Sequence, residues 1–222
     1  MNIGNFNGKM TEINLNKKFL IGFFVLFIFL IIQFYSIVKT VFAVTATDDV
    51  LVTLDVTTGI AITPGADVTM LPSIGISNDS AIGSSAWTVK TNAAAGYTLA
   101  VKANTTPALT SGLNSFADYH AGTTPATWSV SNAKEFGYSA YGTDTTPMGI
   151  WGTGASCGVG GIPTATLNYA GFTTSDNNIA TRASVTDSNG IMTTICFAAE
   201  QNVVYAPSGT YTATITATAT TL

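Results

Sequence analysis

The feature that most constrains the fold is a period-two alternation of apolar and polar residues, which recurs along the chain after an N-terminal apolar block. In the stretch GTYTATITATATTL, five apolar side chains alternate strictly with threonines: Tyr211, Ala213, Ile215, Ala217 and Ala219. This spacing is typical of a β-strand with one buried face. Beyond the N-terminal block, no apolar stretch has a helical period over a useful length. The sequence therefore predicts an all-β domain.

Three further stretches predict how the strands are arranged. The stretch DVLVTLDV, which starts at Asp49, predicts a strand at residues 50–56 with Val50, Val52, Leu54 and Val56 on one face. AWTVKTNAAAGYTLAVKAN predicts a hairpin whose linker spans residues 92–96, and NNIATRASV and IMTTICFAAE predict a second hairpin around TDSNG. Many short strands separated by turns favour a single-domain antiparallel β-sandwich over residues 44–222.

The N-terminal block predicts export of the chain. Lys17 and Lys18 precede an uncharged apolar run at residues 19–32, and basic residues at this position favour an N-terminus inside and a body outside. We interpret residues 1–43 as a signal peptide or an N-terminal membrane anchor. If the block is not cleaved, residues 19–38 would be the part in contact with the membrane.

Small residues after the block offer two sites for signal peptidase. Val41 and Ala43 satisfy the first site, and Val44 and Ala46 satisfy the second. The mature chain is therefore expected to start at Val44 or at Thr47.

Cys157 and Cys196 are the only cysteines in the chain, and in an oxidising compartment such a pair predicts a disulfide. A two-cysteine metal site is the rival interpretation, but histidine or carboxylate partners at ligand spacing are missing from the sequence nearby. We expect neither a metal site nor a cofactor.

The charge of the chain argues against a nucleic-acid partner. After position 43 the only basic residues are Lys90, Lys102, Lys134 and Arg182, whereas eleven carboxylate side chains occur there. A nucleic-acid interface needs a basic stripe that displaces counterions. Charged residues make up only 9% of the chain, so its polar surface consists mainly of Thr, Ser, Asn and Gly.

The pentapeptide GASCG matches the nucleophile motif G-x-S-x-G, with Ser156 as the nucleophile. The motif needs a strand before it and a helix after it, but glycine-rich segments flank it on both sides. The single histidine, His120, precedes the serine instead of following it. A secreted serine hydrolase is therefore a minor alternative, and no catalytic residue is predicted.

Aromatic side chains are the main candidates for ligand contact, although alternation assigns most of them to the core. The set comprises Trp87, Tyr97, Tyr119, Trp128, Tyr138, Tyr141, Trp151, Tyr169 and Tyr205. Trp151 and Tyr141 lie in the glycine-rich middle, where alternation does not commit them to a core. We therefore expect these two to be exposed and to contact a ligand.

Two stretches carry a resemblance to secreted bacterial surface proteins. SSAWTVKTNAAAGYTLAVKAN, with Trp87-Thr88-Val89, and PSGTYTATITATAT, with residues 209–214, resemble the motifs of the WxL cell-wall-binding group, with Val89 at the position of the leucine. The resemblance implies an extracellular or cell-surface protein that binds without catalysis.

The expected function is surface binding or assembly in the cell envelope. A wall polymer, a carbohydrate or another surface protein would be the partner, and a subunit of a pilus or surface array is the alternative function.

Overall fold

The structure, a computed structural model, describes residues 17–37 and 46–222. The chain divides into two units, Met1–Leu54 and Asp55–Leu222. In the first unit, one helix is described, α1 (Lys17–Ile37). The second unit contains the strands.

Helix α1 is long and apolar enough to cross a membrane. Its 21 residues span about 30 Å, the thickness of the hydrocarbon core of a bilayer. The window Lys17–Phe34 has a mean hydropathy of 2.1, and a signal sequence near an N-terminus has the same properties. Both expected cleavage sites involve residues 41–45, which lie outside the described residues, so cleavage stays a prediction.

Thirteen strands and two short 3-10 turns follow. The strands are β1 (Ile60–Thr63), β2 (Ser80–Thr91), β3 (Tyr97–Ala103), β4 (Leu109–Ser111), β5 (Asn114–Asp118), β6 (Ala126–Thr127), β7 (Lys134–Tyr141), β8 (Gly158–Val159), β9 (Ile162–Pro163), β10 (Asn168–Tyr169), β11 (Asn177–Arg182), β12 (Ile191–Gln201) and β13 (Ile215–Thr221). The 3-10 turns are Tyr119–Ala121 and Thr143–Met148.

Two main sheets share one core. The first has six strands in the order β1-β2-β12-β7-β5-β4, and the second has three in the order β11-β3-β13. Side chains of both sheets belong to one buried cluster, to which β2 contributes Val89, β3 contributes Leu99 and β12 contributes Ile195. The predicted all-β sandwich is confirmed. Pairing is antiparallel except between β5 and β7, which run parallel.

Alternation identified the buried faces of β3 and β13 correctly. Tyr97, Leu99 and Val101 in β3 are all buried. In β13, Ile215, Ala217 and Ala219 pack against the same core while the threonines between them are exposed. The C-terminal strand is therefore confirmed from Ile215 onward, where it pairs with β3, whereas Tyr211 and Ala213 precede the strand.

The strand predicted at residues 50–56 is wrong. The structure assigns no strand to residues 50–59, and Val50, Val52, Leu54 and Val56 are all largely exposed. The first strand is β1, which lies in the stretch that follows. Alternation indicates that a segment could bury one face as a strand. It does not indicate whether another strand or sheet is present to cover that face.

The first predicted hairpin is also wrong in its pairing. β2 pairs with β1 and β12, whereas β3 pairs with β11 and β13. The linker at residues 92–96 therefore carries the chain from one sheet to the other. Two strands can bury their apolar faces either as neighbours in one sheet or as opposing strands of two sheets that share a core. Alternation is the same in both arrangements, so it does not distinguish them.

The second predicted hairpin fails in the same way. β11 joins the three-stranded sheet through β3, and β12 lies between β2 and β7 in the six-stranded sheet. The turn around residues 187–190 is present, since the amides of Asn189 and Gly190 donate to Asp187 Oδ1. It connects two layers instead of two neighbouring strands.

The linker between β2 and β3 requires glycine at position 96. Gly96 has φ of 87°, and a Cβ placed there would lie 1.9 Å from the carbonyl oxygen of Arg182. Gly112 also has a positive φ, 58°, but a Cβ there meets open space. Alanine at position 112 would therefore meet only backbone strain, whereas alanine at position 96 would meet the same strain and a steric clash.

We expect Gly96→Ala to lower the free energy of unfolding by about 3 kcal/mol or more, because it combines a left-handed alanine with a forced backbone shift. Gly112→Ala should cost only about 1–2 kcal/mol. Denaturant midpoints of the two variants test this, and equal losses would contradict the role assigned to the Arg182 carbonyl.

Candidate functional site

The six-stranded sheet is covered on both faces. In β12, Ile195, Phe197 and Ala199 point into the core between the sheets. Cys196 and Ala198 point the other way, into a second buried cluster that includes Tyr119. The outer face of this sheet is therefore partly covered by other parts of the chain, and those parts form the candidate site.

Residues 157–169 provide much of that cover, since Cys157, Leu167 and Tyr169 belong to the second cluster. The chain that leads to them starts on the core side, where Trp151 packs and a buried polar group fixes the first turn. Asp144 accepts hydrogen bonds from the hydroxyl of Tyr97 and from Arg182 Nη1, the latter at 3.2 Å. Burial and the neighbouring carboxylate raise the pKa of Tyr97 well above its usual value, so this phenol stays a donor. These contacts tie the turn Thr143–Met148 to the three-stranded sheet.

Cys157 and Cys196 form the predicted disulfide, with a Cα–Cα distance of 5.3 Å. The bond joins the covering segment to the outer face of β12. Beside it, the hydroxyl of Tyr169 donates a hydrogen bond of 3.1 Å to the Cys157 carbonyl. Burial raises the pKa of Tyr169 to about 12, which keeps that donor protonated at physiological pH.

An open cleft of about 370 Å³ lies next to the disulfide. Strand β2 contributes one wall, and Tyr141 at the end of β7 contributes an aromatic ring. The other wall is the disulfide segment, residues 155–161. The lining comprises Ile82, Gly83, Ser84, Tyr141, Ala155, Ser156, Cys157 and Gly158. None of these side chains is charged, and three of them carry a hydroxyl group.

A second, apolar groove adjoins the cleft through Ile82, which lines both. Its other lining residues are Leu71, Pro72, Gly160 and Gly161, and its volume is about 610 Å³. Gly161 lies so close to Pro72 that a Cβ would be 2.4 Å from the proline ring. Cleft and groove together form one uncharged surface around the disulfide segment.

The structure separates the two predicted ligand-binding aromatics. Tyr141 is partly exposed and lines the cleft. Trp151 is only 2% exposed and belongs to the main core, with its ring centroid 5.4 Å from that of Tyr138. The expected exposure of Trp151 is therefore wrong, because the glycine-rich segment wraps against the core instead of projecting into solvent.

Ser156 lies in the cleft, where its Oγ accepts a hydrogen bond from the amide of Gly158 at 3.4 Å. His120 has its ring stacked on Tyr119, with centroids 4.0 Å apart. The residues that line the cleft include neither a histidine nor a carboxylate. Within the described residues, no group of three His, Cys, Asp or Glu side chains could hold a metal ion.

Residues on β2 were missed by sequence reasoning. Ile82 and Ser84 face the cleft because they are opposite Ala198 and Cys196 in register, on the outer side of the sheet. The run of small residues at positions 83–86 was the only signal in the sequence that something approaches this strand closely.

Comparison with protein-family models, with curated proteins and with solved structures gave no match.

Proposed function

We propose that this chain is a non-catalytic protein of the cell envelope, exposed outside the cell, that acts by binding a surface ligand in the cleft beside Tyr141. The observation that carries the proposal is the composition of the cleft, where one aromatic ring and hydroxyl groups are combined without any charged side chain. A proton-transfer or nucleophilic mechanism would need a base beside Ser156.

The chemistry of the cleft suits a neutral, hydroxyl-rich ligand, such as a wall polymer or another carbohydrate. The ring of Tyr141 offers a flat apolar face for stacking on a sugar, and its hydroxyl can donate or accept a hydrogen bond. Ser84 and Ser156 add hydroxyl groups on the opposite walls. Because the site has no ionic component, we expect binding to depend little on salt.

Two features support the proposed location. Helix α1 has the length and hydropathy of a signal or anchor, and the Cys157–Cys196 disulfide is typical of an oxidising compartment. The resemblance to the WxL group agrees with this location. In its first motif, Trp87 and Val89 both pack on the main core, so we assign them a structural role.

Tyr141→Ala tests the binding site. We expect it to weaken retention on isolated cell walls about tenfold, which corresponds to about 1.4 kcal/mol of lost stacking and contact. Tyr205→Ala is the matched control, because Tyr205 is 59% exposed and does not line the cleft. Because Tyr141 also packs on the second buried cluster, Tyr141→Ala should lower the unfolding midpoint by a few degrees, whereas Tyr205→Ala should leave it near that of the native protein. Retention is therefore compared at a temperature where both variants are fully folded.

Equal retention of Tyr141→Ala and Tyr205→Ala would overturn the assignment of the cleft. Labelling of Ser156 by a serine-directed probe, with loss of a measured activity in Ser156→Ala, would instead favour the hydrolase.

A second candidate function is a subunit of a pilus or surface array. The observation that favours it is the exposed apolar segment at residues 50–56, whose side chains have the pattern of a strand.

A further inference from the structure

The apolar side chains at residues 50–56 are unusually exposed for a folded protein. Val50, Leu51, Val52, Leu54 and Val56 are between 75% and 92% exposed. Isolated apolar residues on a surface are common, but a contiguous run of this kind marks a surface that binds something. The segment alternates as a strand does, with Val50, Val52, Leu54 and Val56 on one face, so a sheet edge is the partner that it fits.

The sandwich has an edge that suits such a strand. β13 pairs with β3 on one side, and on its other side no strand of the described part of the chain pairs with it. Its inward side chains Ile215, Ala217 and Ala219 are only partly buried, whereas those of the neighbouring β3 are fully buried. The core is therefore incompletely covered along this edge.

Strand β1, the edge of the six-stranded sheet, comes close to β13 without hydrogen-bonding to it, and it also leaves apolar side chains partly exposed. Its inward side chains Ile60 and Ile62 are also partly exposed, and they pack against the same cluster as the side chains of β13. Both sheets thus end in strands whose apolar faces are half covered. An added strand with apolar residues on one face would complete the burial.

The edge of β13 also lacks the features that normally prevent strand addition. Charged residues, prolines and bulges protect exposed edges in most β-proteins. The sequence of β13, ITATATT, has neither a charge nor a proline, and its pairing with β3 shows a continuous register. Its seven residues match the seven of the exposed segment in length.

We propose that residues 50–56 of one copy add as a strand to the free edge of β13 in a second copy. This inference deepens the assembly part of the proposed function and rests on the chain being outside the cell. Val50, Val52, Leu54 and Val56 would cover the half-exposed side chains of β13. Because donor and acceptor are different surfaces, each copy has one of each to offer, and copies link head to tail into a chain, which is open unless the rotation between copies closes it into a ring.

Cross-linking between differently tagged full-length chains tests the proposal. The native cysteines are bridged to each other, so an introduced cysteine is the only free thiol. One chain carries Thr53→Cys, on the polar face of the donor, and the other carries Thr216→Cys, Thr218→Cys or Thr220→Cys, on the exposed face of β13. Three positions cover the registers that the seven-residue strands allow.

We expect a mixed disulfide between the two tagged chains with at least one of the three partners. Asn178→Cys in β11 is the matched control, because it is exposed on the opposite edge strand of the same sheet. It should give no mixed species. Failure of all three pairs, or a yield no higher than that of Asn178→Cys, would overturn the proposal. A further variant carries Thr53→Cys and the β13 cysteine on one chain, and a bond that forms only within that chain, with no mixed species between the tagged chains, would also overturn the proposal.

A pair of charge variants tests the apolar face of the donor. Val52→Asp combined with Leu54→Asp should abolish the cross-link and any polymer, since it places carboxylates against the core. Thr53→Asp adds a carboxylate to the opposite face and should leave polymer formation intact. All three positions are exposed, so each variant should fold.

The outcome is separable from that of the binding experiment. Loss of strand addition with normal Tyr141-dependent retention on cell walls would refute the assembly mode alone. Cross-linking together with retention that does not depend on Tyr141 would refute the binding site alone.

Discussion

Trp151→Ala will destabilise the protein by about 3–5 kcal/mol, the loss that is usual when a buried tryptophan is truncated in a core. Trp151 is among the largest fully buried side chains, and it packs in the cluster to which both main sheets contribute. Its removal leaves a cavity beside Tyr138 that neighbouring side chains fill only in part. Denaturant unfolding monitored by far-UV circular dichroism gives the free energy directly.

Trp151→Phe serves as the control for this prediction. The indole Nε1 of Trp151 is buried without a hydrogen-bond partner, so phenylalanine removes an unsatisfied donor while it keeps an aromatic ring in place. We expect a much smaller loss than for alanine. If Trp151→Ala unfolds at the native midpoint, the tryptophan does not stabilise the core.

Removal of the disulfide, by Cys157→Ala together with Cys196→Ala, will lower the free energy of unfolding by about 4 kcal/mol. The bond joins residues 39 apart, and closure of a loop of that length restricts the unfolded chain by this amount in the chain-entropy model. The folded protein also loses the covalent link that holds the cleft wall against β12.

Reductant separates the effect of the bond from that of the substitutions. It should lower the unfolding midpoint of the native protein and leave that of the double variant unchanged. A native protein that is insensitive to reductant under unfolding conditions would contradict the stabilising role. The double variant should also bind the ligand proposed for the cleft more weakly than its remaining stability explains, because Ser156 lies in the segment that the bond no longer holds.

Sequence patterns predicted the strands better than their pairing. The buried faces of β3 and β13 follow directly from alternation, which reflects how each strand meets a core. Both predicted hairpins were wrong, because the turns at residues 92–96 and 187–190 carry the chain between sheets. Pairing depends on which edges are already occupied, as β2 is by β1 and β12, and a local pattern does not contain that information.

The candidate site shows the same limit. The disulfide followed from two cysteines and a compartment, so it was predictable. The position of Trp151 was not, since a glycine-rich segment that wraps a core has the composition of one that projects into solvent. Ile82 and Ser84 face the cleft only because of their register with β12, on which sequence spacing has no bearing.

The place of β12 in the chain order determines when this domain can fold. β12 lies between β2 and β7, yet it is formed by Ile191–Gln201, far downstream of both. On the proposed export route, a chain that emerges from its N-terminal side cannot assemble the six-stranded sheet until β12 has appeared. Until then β2 and β7 lack the strand that lies between them, and the sheet cannot close. Cys157 is exported before Cys196, and the chain has no other cysteine with which it could form a wrong disulfide. Strand β12 therefore both completes the sheet and supplies the partner thiol.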